Sequence, residues 1–203
     1  MLQVHPLNPQ RRLLQQVVER LRAGAVIIYP TDSAYALGCH IGNKAALDRI
    51  RTIRQLDQKH NFTLVCRDLS ELSTYAIVDN TGYRLLRNHT PGPYTFILKA
   101  TPEVPRRLMH PRRKTIGMRV PDNPIALLLL ELLDAPLMSV TLILPGDELP
   151  LTDTEEMQRR LGHQVDVIVD GGACGLEPTS VIDLAGDEPV VTRHGKGDVR
   201  AFE

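Results

Sequence analysis

A chain of 203 residues and 22.7 kDa can bury roughly 70% of its unfolded surface in a single domain spanning residues 1–203, with no need of disulfides or structural metal. Its 42% apolar and 24% charged residues, with 24 Lys plus Arg against 24 Asp plus Glu, exclude a disordered chain and a globally basic one, so any polyanion site must be local. The longest apolar run, Ile125 to Leu130, is far below the roughly 18 residues of a membrane span, and Met1 to Asn8 has no leader pattern, which predicts a cytoplasmic protein without a membrane partner.

Leu13, Leu14, Val17, Val18 and Leu21 recur at helical spacing and predict an amphipathic helix that stops near Gly24. Ala25 to Tyr29 follows as a buried strand, ended by Pro30, and delivers the polar loop Thr31-Asp32-Ser33 to a sheet edge. Ala45 to Arg54 reads as a helix, Phe62 to Cys66 as a strand and Thr81 to Arg87 as a helix. Thr90-Pro91-Gly92-Pro93 is a rigid turn that launches the strand Tyr94 to Leu98, and Thr115 to Val120 is another. Asp122 or Asn123 can cap a helix that starts with Pro124 and runs to about Leu133. Leu137 to Leu144, Val165 to Val169, Ser180 to Leu184 and Val190 to Arg193 complete the strands, with a helix near Thr154 to Arg160. No repeat or long linker interrupts this series, so the prediction is one α/β domain with a twisted sheet of mixed parallel and antiparallel strands and flanking helices.

Of the 24 cations 19 are Arg, the side chain suited to bidentate binding of carboxylate or phosphate. Arg106, Arg107, Arg112, Arg113, Lys114 and Arg119 fall within fourteen residues that hold no acid. The 106 to 114 stretch reads either as a rim for phosphate or as a solvated loop balanced by the acidic 147 to 156 segment. Thr31, Asp32 and Ser33 suit a ligand at a strand end, but their local pattern alone favours a helix cap in which Asp32 or Ser33 satisfies free backbone amides. Arg119 sits inside a strand, where an unpaired guanidinium is costly, so it needs a carboxylate from the protein or from a ligand. Arg193 to Gly197 reads as a flexible basic arm. The histidines lack metal-site spacing, the three cysteines Cys39, Cys66 and Cys174 are unpaired in sequence, and no dinucleotide or P-loop fingerprint occurs, so no metal site and no permanently bound cofactor are expected.

Pro30-Thr31-Asp32-Ser33-x-Tyr35, Pro91-Gly92-Pro93-Tyr94-Thr95, Arg119-x-Pro121 and Pro178-Thr179-Ser180-Val181-Ile182-Asp183 occur in this order over nearly the whole chain. Together they resemble the motif series of the YrdC family, and Arg54 to Phe62 is similar to its YciO branch. The resemblance implies a concave basic cleft associated with nucleotide and double-stranded RNA binding. Enzymatic members join threonine, bicarbonate and ATP, with Mg, into threonylcarbamoyl-AMP and pyrophosphate on the way to modified tRNA. Carried onto this chain, it makes Thr31, Ser33, Arg119, Thr141 and Ser180 substrate-binding, with Thr31, Arg119 and Ser180 around threonine, and puts Arg54, Lys59 and Arg193 at nucleotide or RNA phosphate. Arg106, Arg107, Arg112, Arg113 and Lys114 would form an RNA rim. The family's Lys-x-Arg motif appears as Arg54-Gln55-Leu56, or shifts by a few residues onto Lys59, and its Ser-x-Asn motif appears as Thr141-Leu142-Ile143. Leu56 and Ile143 therefore delete two donors from the triphosphate side.

Three functions stay open on the sequence: binding of nucleotide (ATP or AMP) and structured RNA with a degraded catalytic set, a weak threonylcarbamoyl-AMP synthase, and a non-catalytic assembly factor. The residues assign no catalytic group. The scarcity of aromatics, with no Trp and three Phe, favours shape readout of duplex RNA over base stacking.

Overall fold

Side chains alternate across a strand, so each strand must find cover for two faces. The computed structural model describes residues 1–57 and 60–203. Its strands are Leu2–Gln3 (β1), Ile27–Tyr29 (β2), Ala36–His40 (β3), Thr63–Val65 (β4), Ala76–Ile77 (β5), Tyr94–Ala100 (β6), Thr115–Arg119 (β7), Leu137–Thr141 (β8), Val167–Asp170 (β9), Ser180–Asp183 (β10) and Val190–Arg193 (β11). The helices are Arg11–Arg22 (α1), Lys44–Arg54 (α2), Leu69–Tyr75 (α3), Asn80–His89 (α4), Pro124–Leu133 (α5) and Thr154–Leu161 (α6). The sheet runs β1-β9-β2-β3-β8-β4-β7-β6-β10-β11, with β5 against β6. It is mixed, as expected: β9 with β2, β4 with β7 and β6 with β10 are parallel, whereas β2 with β3, β3 with β8 and β6 with β7 are antiparallel.

One face of the sheet is covered throughout. Ile28, Leu37, Leu64, Phe96, Met118, Met138 and Ile182 point there and pack with Leu47 and Ile50 of α2, Leu72 of α3, Leu86 of α4 and Met157 of α6. The opposite face is covered over only half its width. Ile27, Tyr29, Ala36, Val65, Leu137 and Val169 pack against Val17 and Leu21 of α1 and Leu129 and Leu133 of α5. Beyond β4 the same face carries Thr95, Ile97, Thr115, Gly117 and Arg119, which a cleft exposes. Small and polar residues there offer a helix little apolar surface to bury, so that half stays open.

Local signals explain the elements that place this cleft. The Asn123 side chain accepts from the amides of Ile125 and Ala126, both at 3.0 Å, and Pro124 opens α5 without wasting a donor. β3 went unpredicted, because Gly38 and small neighbours weaken the strand pattern. A Cβ at Gly38 would lie 2.8 Å from the Tyr29 ring, so glycine here admits that ring between strands. α3 was unpredicted too: seven residues, capped by Asp68 at the Glu71 amide, are too few to show a helical stripe. Because β3 follows the Thr31 to Ser33 loop, that loop caps no helix, and this expectation is corrected.

Candidate functional site

The open half of the sheet floors a cavity of 380 Å³. Thr31 and Ser33 reach it from the end of β2, Arg54 from the last turn of α2, and Arg119 from the end of β7. Thr141 and Ile143 come from the end of β8, and Arg193 from β11. Residues far apart in the chain therefore line one cavity. Ser180 does not join them, and Lys59 lies outside the described residues.

Thr31 organises its own loop. Its hydroxyl accepts from the amides of Ser33 and Ala34, each at 3.2 Å, and donates to the Ala34 carbonyl at 2.6 Å. Asp32 is thereby turned toward Arg119, and the two form an ion pair with only 8% and 9% of their side chains exposed. Arg119 also donates to the Ser33 hydroxyl at 3.2 Å, while the Asp122 amide donates to the other Asp32 oxygen at 3.0 Å. Arg119 has the carboxylate that its position in the strand demanded, and the protein supplies it. Its buried Nε has no hydrogen-bond partner. Nearby, Tyr29 shares a 2.8 Å hydrogen bond with Ser139, and burial pushes its hydroxyl up to about 12.

Four arginines line the cavity, and no Asp or Glu does among the described residues. Two of the four carry their own counter-charge: Arg119 has Asp32, and Arg113 has Asp183 at 2.7 Å. Arg54 and Arg193 have no carboxylate within ion-pair distance among the described residues. Arg54 Nε is buried without a partner, and burial lowers the pKa of both guanidiniums from the ordinary arginine value. Burial and the Arg54 charge hold His60 below its usual range, so the imidazole is neutral near pH 7. Among the described residues, the positive charge in the lining that has no ion-pair partner thus rests on Arg54 and Arg193.

Arg193 does not belong to a loose arm. Although the residue as a whole is exposed, its Nε and Nη2 donate to the Thr179 carbonyl at 3.0 and 2.8 Å. Ser180, fully buried, donates to the Gly197 carbonyl at 2.5 Å and accepts from the Gly195 amide at 3.0 Å. Tyr94 donates to the Asp198 carbonyl at 3.0 Å, and Lys196 donates to the Asp32 carbonyl. A Cβ at Gly195 would stand 2.4 Å from the Pro178 carbonyl, and one at Gly197 2.4 Å from the Tyr94 ring, so both glycines permit close approach. The expectation of a flexible arm is corrected: a strap is tied down from both sides, and Ser180 ties it.

The remaining positions divide. Arg106, Arg107, Arg112, Arg113 and Lys114 are exposed, yet of these Arg113 alone reaches the cavity wall. Arg107 donates to the Gly42 carbonyl at 3.3 Å. The acidic 147 to 156 segment is not their counterweight, since Asp147 and Glu156 pair with Arg160 and Arg159. Gln55, left-handed with φ of 51°, ends α2, and Leu56 packs against the core instead of the cavity. Ile143 does face the cavity and sets hydrocarbon where the motif would put an amide. Sequence reasoning missed Thr95 and Thr179, both in the wall and nine-tenths buried; they lay inside quoted motifs, but alternation alone did not say which face was open. Among the described residues no group of three or more His, Cys, Asp and Glu comes together to hold a metal. No described helix is long and apolar enough to cross a membrane.

The family model Sua5_yciO_yrdC, described as "Telomere recombination", matches residues 19–195. YciO of Escherichia coli K12 is 61% identical over 199 residues, which cover 98% of this chain and 97% of that one. Its crystal structure superposes with a TM-score of 0.95 at 60% identity, covering 100% of this chain and 98% of that one. A threonylcarbamoyl-AMP synthase of Vibrio vulnificus is 32% identical over 161 residues, 78% of this chain and 86% of that one. The crystal structure of P. abyssi Sua5 complexed with L-threonine has the same fold, with a TM-score of 0.87 at 24% identity, over 96% of this chain and 57% of that one.

Proposed function

We propose that this chain, which belongs to the Sua5/YciO/YrdC family, binds the phosphate of a nucleotide in the cleft on the open half of its sheet. The observation that carries this reading is the entry of Arg54 and Arg193 into one cavity with no carboxylate to neutralise them. Positive charge with no carboxylate beside it attracts an anion: the half-buried Arg54 has an unpartnered Nε, and Arg193, whose Nε and Nη2 are held by Thr179, keeps Nη1 for a phosphate oxygen. The 380 Å³ cavity falls within the range of about 300–1,000 Å³ for small-molecule sites, which admits a nucleotide but not a duplex. Duplex RNA would instead lie across the exposed Arg106, Arg112 and Lys114 beside the mouth, and its affinity would fall steeply with salt.

Thermal denaturation with AMP or ATP tests the reading: nucleotide raises the midpoint of the wild type and leaves Arg193→Met unmoved. Equal midpoints with and without nucleotide in the wild type count against it.

A second reading, a slow threonylcarbamoyl-AMP synthase acting toward modified tRNA, draws support from Thr31, Ser33, Arg119 and Thr141 at the same wall and from the Vibrio relative. Leu56 and Ile143 oppose it. Each charged hydrogen bond lost costs about 1.5 to 3 kcal/mol, so two losses slow adenylylation by about two to four decades. Pyrophosphate release that requires both threonine and bicarbonate distinguishes this slow enzyme from a binder.

A further inference from the structure

The wall that carries Arg193 has a second side. In β6, Thr95 lines the cavity while its neighbour Tyr94 turns the other way, into the apolar core, and at the start of β10 Thr179 lines the cavity while Ser180 does not. Tyr94 and Ser180 hold the segment after Arg193: Tyr94 Oη donates to the Asp198 carbonyl, its ring packs on Gly197, and Ser180 ties Gly195 and Gly197. The strap therefore backs the wall. Beyond it, the turn Arg200–Phe202 plants the Phe202 ring, its centroid 4.5 Å from that of His89, 5.9 Å from Tyr94 and 6.1 Å from Phe96. Aromatics are scarce in this chain, yet two of its three phenylalanines meet here.

Arg193 needs that anchor. It ends β11, an edge strand in which Val190, Thr192 and Arg193 are exposed and only Val191 packs against the core. The pairing with β10 shifts register between Val181 and Ile182, beside the Val181–Arg193 pair, so the ladder is irregular where Arg193 leaves the strand. Past that point the chain is held by the strap's ties and by Phe202, which is 6% exposed. We propose that Phe202 is a positioning residue for the nucleotide site: by anchoring the strap it keeps Arg193 in the cavity wall, and phosphate bound at Arg193 holds the strap down in return. The proposal rests on the nucleotide reading of the cavity. Phe202 is not among the residues that line the cavity, so its effect on binding runs through the strap. Linkage makes that effect reciprocal.

Titration calorimetry with AMP, below the unfolding midpoint of every variant, tests the anchor. If releasing the strap leaves about a tenth of the molecules with Arg193 in place, the AMP dissociation constant rises about tenfold. Phe202→Ala shows that loss, Phe202→Leu, which keeps apolar bulk, stays within about threefold of the wild type, and Leu129→Ala, a core deletion on the sealed half, binds as the wild type does. Hydrogen exchange reads both directions: amides 195 to 198 exchange faster in Phe202→Ala without ligand, and AMP slows them in the wild type while the last-turn amides of α1 keep their rates. Wild-type affinity in Phe202→Ala, an equal loss in Leu129→Ala, or strap amides indifferent to AMP in a protein that binds it each overturn the proposal. If Phe202→Ala has no cooperative unfolding transition, Tyr94→Phe, which removes only the hydroxyl tied to Asp198, replaces it; a loss of about threefold supports the anchor and wild-type affinity overturns it. A wild type that binds neither AMP, ATP nor inorganic phosphate brings down the nucleotide reading, whereas unchanged strap exchange in Phe202→Ala brings down the anchor alone.

Discussion

Arg119 shows how a single side chain can be read from its position. A guanidinium inside a strand demanded a carboxylate, and Asp32, 87 residues away, supplies it with both side chains nearly buried. Arg119→Met strands the Asp32 charge with one amide donor, so it destabilises the fold by about 3–5 kcal/mol in urea denaturation. The double variant Arg119→Met/Asp32→Asn recovers most of that loss, and equal losses in the two would mean that the charge is not the cause. The partner's identity could not be read from the sequence, because pairing across the sheet is set by strand order. Arg54 and Arg193 were legible as cations and not as the unpaired ones, since that requires knowing where each carboxylate lies.

At the scale of elements, β7, β10 and α5 were legible because their alternation, turn residues and caps agree with the final packing. β3 and α3 were not: one is diluted by Gly38, the other too short to show a period. The segment from Arg193 to Gly197 reads in sequence as a flexible basic arm because its ties, with that of Asp198 beside it, are hydrogen bonds to Ser180, Pro178 and Tyr94, which no local pattern reveals. Ser180→Ala leaves the Gly195 amide and the Gly197 carbonyl without that partner, a loss of about 1–3 kcal/mol. Hydrogen exchange checks it: amides 195 to 198 exchange faster in the variant while those of β6 and β7 keep their protection. Unchanged exchange in the strap would remove Ser180 from its role as the tie.

The whole molecule divides its sheet between stability and function. α1 and α5 seal one half of a face, and the other half stays open because its strands present Thr95, Thr115, Gly117 and Arg119. Leu129→Ala, in the sealed half, costs about 2–5 kcal/mol by opening a cavity in the core. Below its unfolding transition it binds AMP as the wild type does; a parallel loss of affinity would mean that the halves are not independent. Fold class and the mixed character of the sheet were readable from the sequence, whereas the convergence of distant guanidiniums was not, because it depends on which half of the sheet the helices leave bare. The most direct measurement is electron density from crystals soaked with AMP. The account predicts a phosphate in the cavity within about 2.7–2.9 Å of nitrogens on both Arg54 and Arg193, and a phosphate bound at the 106 to 114 rim with the cavity holding only solvent would contradict it.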